Sequence, residues 1–186
     1  MILVWHYYWP VVAVGFLAGL VACWVALQGK TAHINVDDAR SPPRHPLRKR
    51  LTIFAVGAFA AIIAAALWHG PVGAGSRLTA FVEADARAEL DRLEMTAVEA
   101  LAERAPLKRS LVLSGPADEF QRREIRRLMA QTPGIVRARW ADEGGGYRLP
   151  LLAEAALAAL LGFPVGALLA YLIIYRRREN ATWSWG

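Results

Sequence analysis

Hydrophobic positions gather in three blocks along this chain, and the polar ones lie almost wholly between them. The first block, Ile2 to Leu27, holds no acidic or basic side chain apart from His6. The second, Leu51 to Trp68, is Ala-rich and uncharged, and the third, Pro150 to Tyr175, carries one charge, Glu154. A helix needs about 20 mainly apolar residues to cross a bilayer, so each block predicts a membrane span. No basic residue precedes the first block, as a secretory leader would require, so it reads as a retained span. Pro150 suits the first turn of the third, where a backbone N–H has no partner in any case.

Between the second and third blocks the pattern becomes that of a small folded domain. Leu78, Phe81, Val82, Ala86, Leu90 and Leu93 follow a helical period within Arg77 to Arg104. Val98, Leu101 and Ala102 fit either a continuation of that helix or a short strand. Lys108 to Ser114 alternates as a strand. Ser114-Gly115-Pro116-Ala117-Asp118 is a turn whose Asp118 can cap a helix over Glu119 to Gln131. Phe120, Ile125, Leu128 and Met129 of that helix point to a core. Thr132-Pro133-Gly134 ends it, Ile135 to Trp140 is a second strand, and Gly144-Gly145-Gly146 leads to the third span.

The run from Ser110 to Trp140 resembles the second half of a BON domain: a strand ending in Ser-Gly, a polar helix, then Pro-Gly and an aliphatic residue entering a strand. Gly115, Pro133, Gly134 and Ile135 carry the resemblance. It implies a small α/β sandwich of a bacterial envelope protein, one that attaches to membranes or partners and does not catalyse. The expected fold class is therefore a membrane protein with three transmembrane α-helices and an α/β, BON-like domain outside the cytoplasm between the second and third.

Charge orients this arrangement. Lys30, Arg40, Arg44, Arg48, Lys49 and Arg50 lie between the first two spans, and Arg176, Arg177 and Arg178 follow the third. Two spans separate these segments, so they share a side, and the positive-inside rule makes that side cytoplasmic. The expected organisation is span 1–27, cytoplasmic loop 28–50, span 51–69, periplasmic domain 70–149, span 150–175 and cytoplasmic tail 176–186, in a bacterial inner membrane. Ser41-Pro42-Pro43-Arg44-His45-Pro46 cannot be helical throughout, so Lys30 to Pro46 reads as a partly polyproline-like loop. Trp5, Tyr7, Tyr8, Trp9 and Trp68 would mark the outer interface, and Tyr171 and Tyr175 the inner one. The composition agrees: 55% of residues are hydrophobic, above the roughly 45–50% of a soluble domain. The net charge of +6 sits beside the spans and comes with no nucleic-acid motif.

Candidate chemistry is sparse. No nucleophile–base pair, phosphate loop or zinc pattern occurs, so neither a catalytic residue nor a metal site is assigned, and no cofactor is expected. The single cysteine, Cys23, excludes an internal disulfide. His6 and His69 fall at the outer ends of neighbouring spans, where two facing imidazoles could ligate a haem or pigment metal; His33 and His45 have no ligand-like spacing. Arg122, Arg123, Arg126 and Arg127 form a double stripe on one helix, suited to anionic lipid or an acidic partner. Arg48, Lys49 and Arg50 offer the same chemistry beside the second span. Gly15 with Gly19, and Gly162 with Gly166, are spaced for close helix packing. Three readings follow: an accessory or scaffold subunit among other integral membrane subunits of a respiratory or photosynthetic type of assembly, an envelope-tethering module on lipid, or a haem- or pigment-binding electron carrier.

Overall fold

A computed structural model describes residues 2–28 and 46–183. The loop expected over Lys30 to Pro46, with His33 and His45, falls almost entirely outside the described residues. The elements run α1 (Ile2–Gln28), α2 (Pro46–His69), α3 (Ala74–Arg92), β1 (Glu99–Arg104), β2 (Leu107–Ser114), α4 (Glu119–Met129), β3 (Arg137–Trp140) and α5 (Leu151–Trp183). Three helices are long and apolar enough to cross a membrane: Val4–Leu27, Leu47–His69 and Leu151–Arg177. A helix satisfies every backbone group internally, which is what an apolar solvent demands.

Among the long helices, α2 and α5 extend beyond the spans expected from the sequence. α2 begins at Pro46, so Arg48, Lys49 and Arg50 lie in its first turns and not in a loop. Proline at the first helical position costs no hydrogen bond and has a suitable φ, so Pro46 starts the helix where it was expected to prevent one. α5 continues through Arg176 and Arg177 to Trp183, because nothing after Tyr175 breaks a helix.

The chain forms two compact units. One consists of Pro10–Ala65 and Ala156–Gly186. Within it, α1 and α5 approach closely through glycines from both sides. A Cβ on Gly15 would stand 2.0 Å from the Ala159 carbonyl oxygen, and one on Gly19 2.0 Å from that of Phe163. The approach is reciprocal: a Cβ on Gly162 would lie 2.4 Å from the Val12 oxygen, and one on Gly166 1.9 Å from that of Phe16. Both small-residue pairs thus serve packing inside the chain. α2 joins with a narrow stripe of small residues, Gly57 facing Ala22 and the Phe163 ring, and Ala61 and Ala65 fully buried. Only 11% of its span is covered by the chain, against 33% for α1 and 28% for α5. Val56, Phe59, Ile63 and Leu67 remain outward, as on a lipid-facing helix.

The other unit is Met1–Trp9 with Ala66–Ala155. Its three-stranded sheet has the order β1-β2-β3, with β1 antiparallel and β3 parallel to β2. The parallel step requires a crossover, and α4 supplies it. The helix expected over Arg77 to Arg104 stops at Arg92, and Glu99–Arg104 is a strand. Glu94, at φ 58°, turns the chain at that break. One sheet face buries Ala100, Ala102, Leu111, Leu113, Ala138 and Trp140. α3 covers β1 with Leu78, Val82, Ala86 and Leu90, and α4 covers β3 with Ile125 and Met129. Leu128 is half-buried, but Phe120 is 70% exposed and lies outside the core to which its spacing pointed.

Local chemistry fixes the joints. Asp118 accepts from the Gln121 N–H at 2.7 Å while the Gln121 side chain accepts from the Asp118 N–H at 3.0 Å, a reciprocal cap on α4. Gly115 holds φ 129°, and a Cβ there would meet the Ala97 oxygen at 2.4 Å. The edge of β1 is closed by α3: Glu83 accepts from the Ala102 N–H at 3.0 Å, and Arg87 donates to the Val98 carbonyl at 3.1 Å.

Candidate functional site

One cluster of polar groups in the domain-bearing unit lies at the ends of the long helices. Tyr8, in the first turns of α1, donates a hydrogen bond to the Glu154 carboxylate in the first turn of α5. Arg109 of β2 stands 3.6 Å from the same carboxylate and donates through Nε to the Gly134 carbonyl at 2.9 Å. The Tyr7 hydroxyl shares a hydrogen bond of 2.7 Å with Nδ1 of His69, and Trp68 donates through its indole to the Tyr7 carbonyl at 3.0 Å. The Glu154 and Arg109 side chains are 27% and 23% exposed. The Tyr8 hydroxyl and the Gly134 carbonyl each add a partner to this half-buried ion pair. The collar joins α1, α2, α5 and the sheet. Glu154 was visible in the sequence as the one charge of its block; Arg109 was not, because its partner is distant in the chain.

His6 and His69 enter different surroundings. His6 lines a cleft with Tyr7, Trp68 and Phe81, and His69 lines another with Gly75, Thr79 and Arg104. His69 already engages the Tyr7 hydroxyl. No group of three or more His, Cys, Asp or Glu side chains placed to hold a metal occurs among the described residues.

The sheet face turned from α3 and α4 carries a second cluster. Glu103 accepts from Lys108 at 2.9 Å and from the Ser110 hydroxyl at 2.8 Å, with Arg139 at 3.8 Å. The Lys108 hydrogen bond, with Ser110 and the neighbouring positive charges, holds the Glu103 carboxyl below its ordinary pKa against the opposing effect of desolvation. Arg139 also donates to the Glu143 carbonyl at 3.0 Å, while its buried Nε has no hydrogen-bond partner among the described residues.

The arginine stripe of α4 divides in two. Arg122 donates to both Asp142 oxygens at 2.8 Å, and its guanidinium lies 4.6 Å from the centre of the Trp140 ring. That hydrogen bond keeps the Asp142 carboxyl below its usual range. Arg126 pairs with Glu143 at 2.8 Å. The acids that pair with Arg122 and Arg126 therefore come from the loop after β3 and not from α4 itself. Arg127 has only Glu124 at 3.9 Å, and Arg123 has no ion-pair partner among the described residues. With Phe120 these two occupy the outward face of α4. Arg48 and Lys49 are exposed at the start of α2, and Arg50 is half-exposed.

No family model, no curated protein and no solved structure matches the chain.

Proposed function

We propose that the chain is a non-enzymatic accessory or scaffold subunit of a larger membrane assembly. Its helices would anchor it in a bacterial inner membrane, with the basic ends of α2 and α5 in the cytoplasm and the BON-like α/β domain on the periplasmic side. The observation that carries this reading is the outward face of α4. Phe120 is 70% exposed there beside Arg123 and Arg127, while Arg122 and Arg126 are held by Asp142 and Glu143. Aromatic and arginine side chains dominate the energetics of protein interfaces.

Purification of the tagged chain from its native membrane in mild detergent tests the proposal. Wild type is expected to carry stoichiometric integral membrane subunits, and a Phe120→Ala/Arg123→Glu variant to lose them while keeping its fold. Recovery of wild type alone as a monodisperse species would sink the proposal.

A further inference from the structure

We propose that the cleft beside His6, Tyr7, Trp68 and Arg77 is a binding site for the headgroup of an anionic phospholipid. The inference is independent of the subunit reading. The cleft has a volume of about 340 Å³ and is lined by those residues with Leu78 and Phe81. That is at the small end of ligand pockets, which run from about 300 to 1,000 Å³. A glycerophosphate head fits it, and the acyl chains stay in the bilayer.

Depth identifies the occupant. His6 and Tyr7 stand at the beginning of the apolar stretch Val4–Leu27, and Trp68 stands one residue from the end of Leu47–His69. The cleft therefore opens where a membrane's hydrocarbon gives way to headgroups, a level that favours amphipathic rings. Two of its wall residues are held by hydrogen bonds within the chain. Tyr7 is held by His69, and the Trp68 indole by the Tyr7 carbonyl. Phe81 leaves 41% of its surface open to the cleft side of α3 and to solvent.

Chemistry identifies the headgroup. Arg77 donates from Nη2 to the Val72 carbonyl at 2.7 Å, which steadies the guanidinium. A guanidinium has five N–H donors in a planar fork that matches phosphate, so the contact to Val72 leaves donors for a ligand. The His6 imidazole adds a further N–H donor in either tautomer. Among the described residues, no carboxylate lines the cleft. A phosphodiester carrying net negative charge satisfies these donors while its glycerol rests on the rings.

The full chain in non-ionic detergent, titrated with dioleoyl phosphatidylglycerol, dioleoyl phosphatidylcholine or inorganic phosphate, supplies the test. The lipid-bound fraction is read by native mass spectrometry. Phosphatidylglycerol should bind wild type at one site and in preference to phosphatidylcholine. Arg77→Gln should weaken it about tenfold, equivalent to about 1.4 kcal/mol. Arg77→Lys should retain part of the affinity, and it serves as the variant of record if Arg77→Gln does not fold. Arg92→Gln, a change at an exposed residue outside the cleft, should bind as wild type does. Equal binding by wild type and both Arg77 variants would overturn the site. Competition by inorganic phosphate at concentrations comparable to the lipid would overturn the lipid assignment.

Discussion

At the scale of single residues, the charged groups act mostly on one another, and Glu103 shows how. Its carboxylate joins β1 to β2 through Lys108 and Ser110. Because its pKa in the fold is lowered, its stabilisation is fully present above the ordinary carboxylate range. It is lost as pH falls through the lowered folded pKa, below which folded and unfolded forms both bind the proton. Wild type should therefore melt at a higher temperature than Glu103→Gln at neutral pH. The gap should close as pH falls from the ordinary carboxylate range through the lowered folded pKa. Melting curves followed by circular dichroism in detergent check this; a gap independent of pH would remove the charge from the account. This cluster was illegible in the sequence, since Glu103, Ser110 and Arg139 meet only through strand pairing. The reciprocal cap of Asp118 on α4 was legible, because both its partners lie within four consecutive residues.

At the scale of elements, α1 and α5 pair through backbone contact. In an apolar solvent helices gain little from burying apolar side chains, so close packing of small residues takes over. The glycine spacing identified surfaces of close approach but not their partner, which proves to be the chain itself. Gly19→Leu or Gly166→Leu places a side chain where a Cβ alone would lie about 2 Å from a carbonyl oxygen. Overpacking of this kind costs about 1–3 kcal/mol where neighbours can shift. Backbone cannot shift as a side chain does, so the expected loss is at the upper end of that range. Thermal denaturation of the detergent-solubilised chain measures it. Gly144→Leu, at a position with nothing within 4 Å of an added Cβ, is the control expected to leave the midpoint unchanged.

At the scale of the whole molecule, the three apolar helices and the basic segments beside them make a directional prediction. In a Cys23→Ala background, Gly144→Cys should react with an impermeant thiol reagent in intact spheroplasts. Ser41→Cys should react only after the membrane is opened. Labelling of both from outside would contradict a topology of three spans. Gly144 suits the test because it is exposed and stands in open space, so the label meets no packed neighbour.

By itself the sequence determined whatever depends on neighbouring residues. Long uncharged runs become membrane-length helices because no other local structure hides the backbone from lipid. The α4 cap, the turn at Gly115 and the two strands around α4 follow from spacing and turn chemistry. Tertiary structure decided the rest. Glu99–Arg104 has a composition that suits a helix, yet it is a strand because Ala100 and Ala102 pair with Leu113 and Leu111 over the core. Pairing and burial outweigh intrinsic preference in a sheet. Phe120 is outward because the faces of α4 were set by where β3 lies. Arg122 and Arg126 lost their freedom to Asp142 and Glu143, which reach them only once β3 is in place. The collar through Glu154, Arg109 and Tyr8 is of the same kind: its members lie far apart in the chain, and only the folded chain brings them within reach.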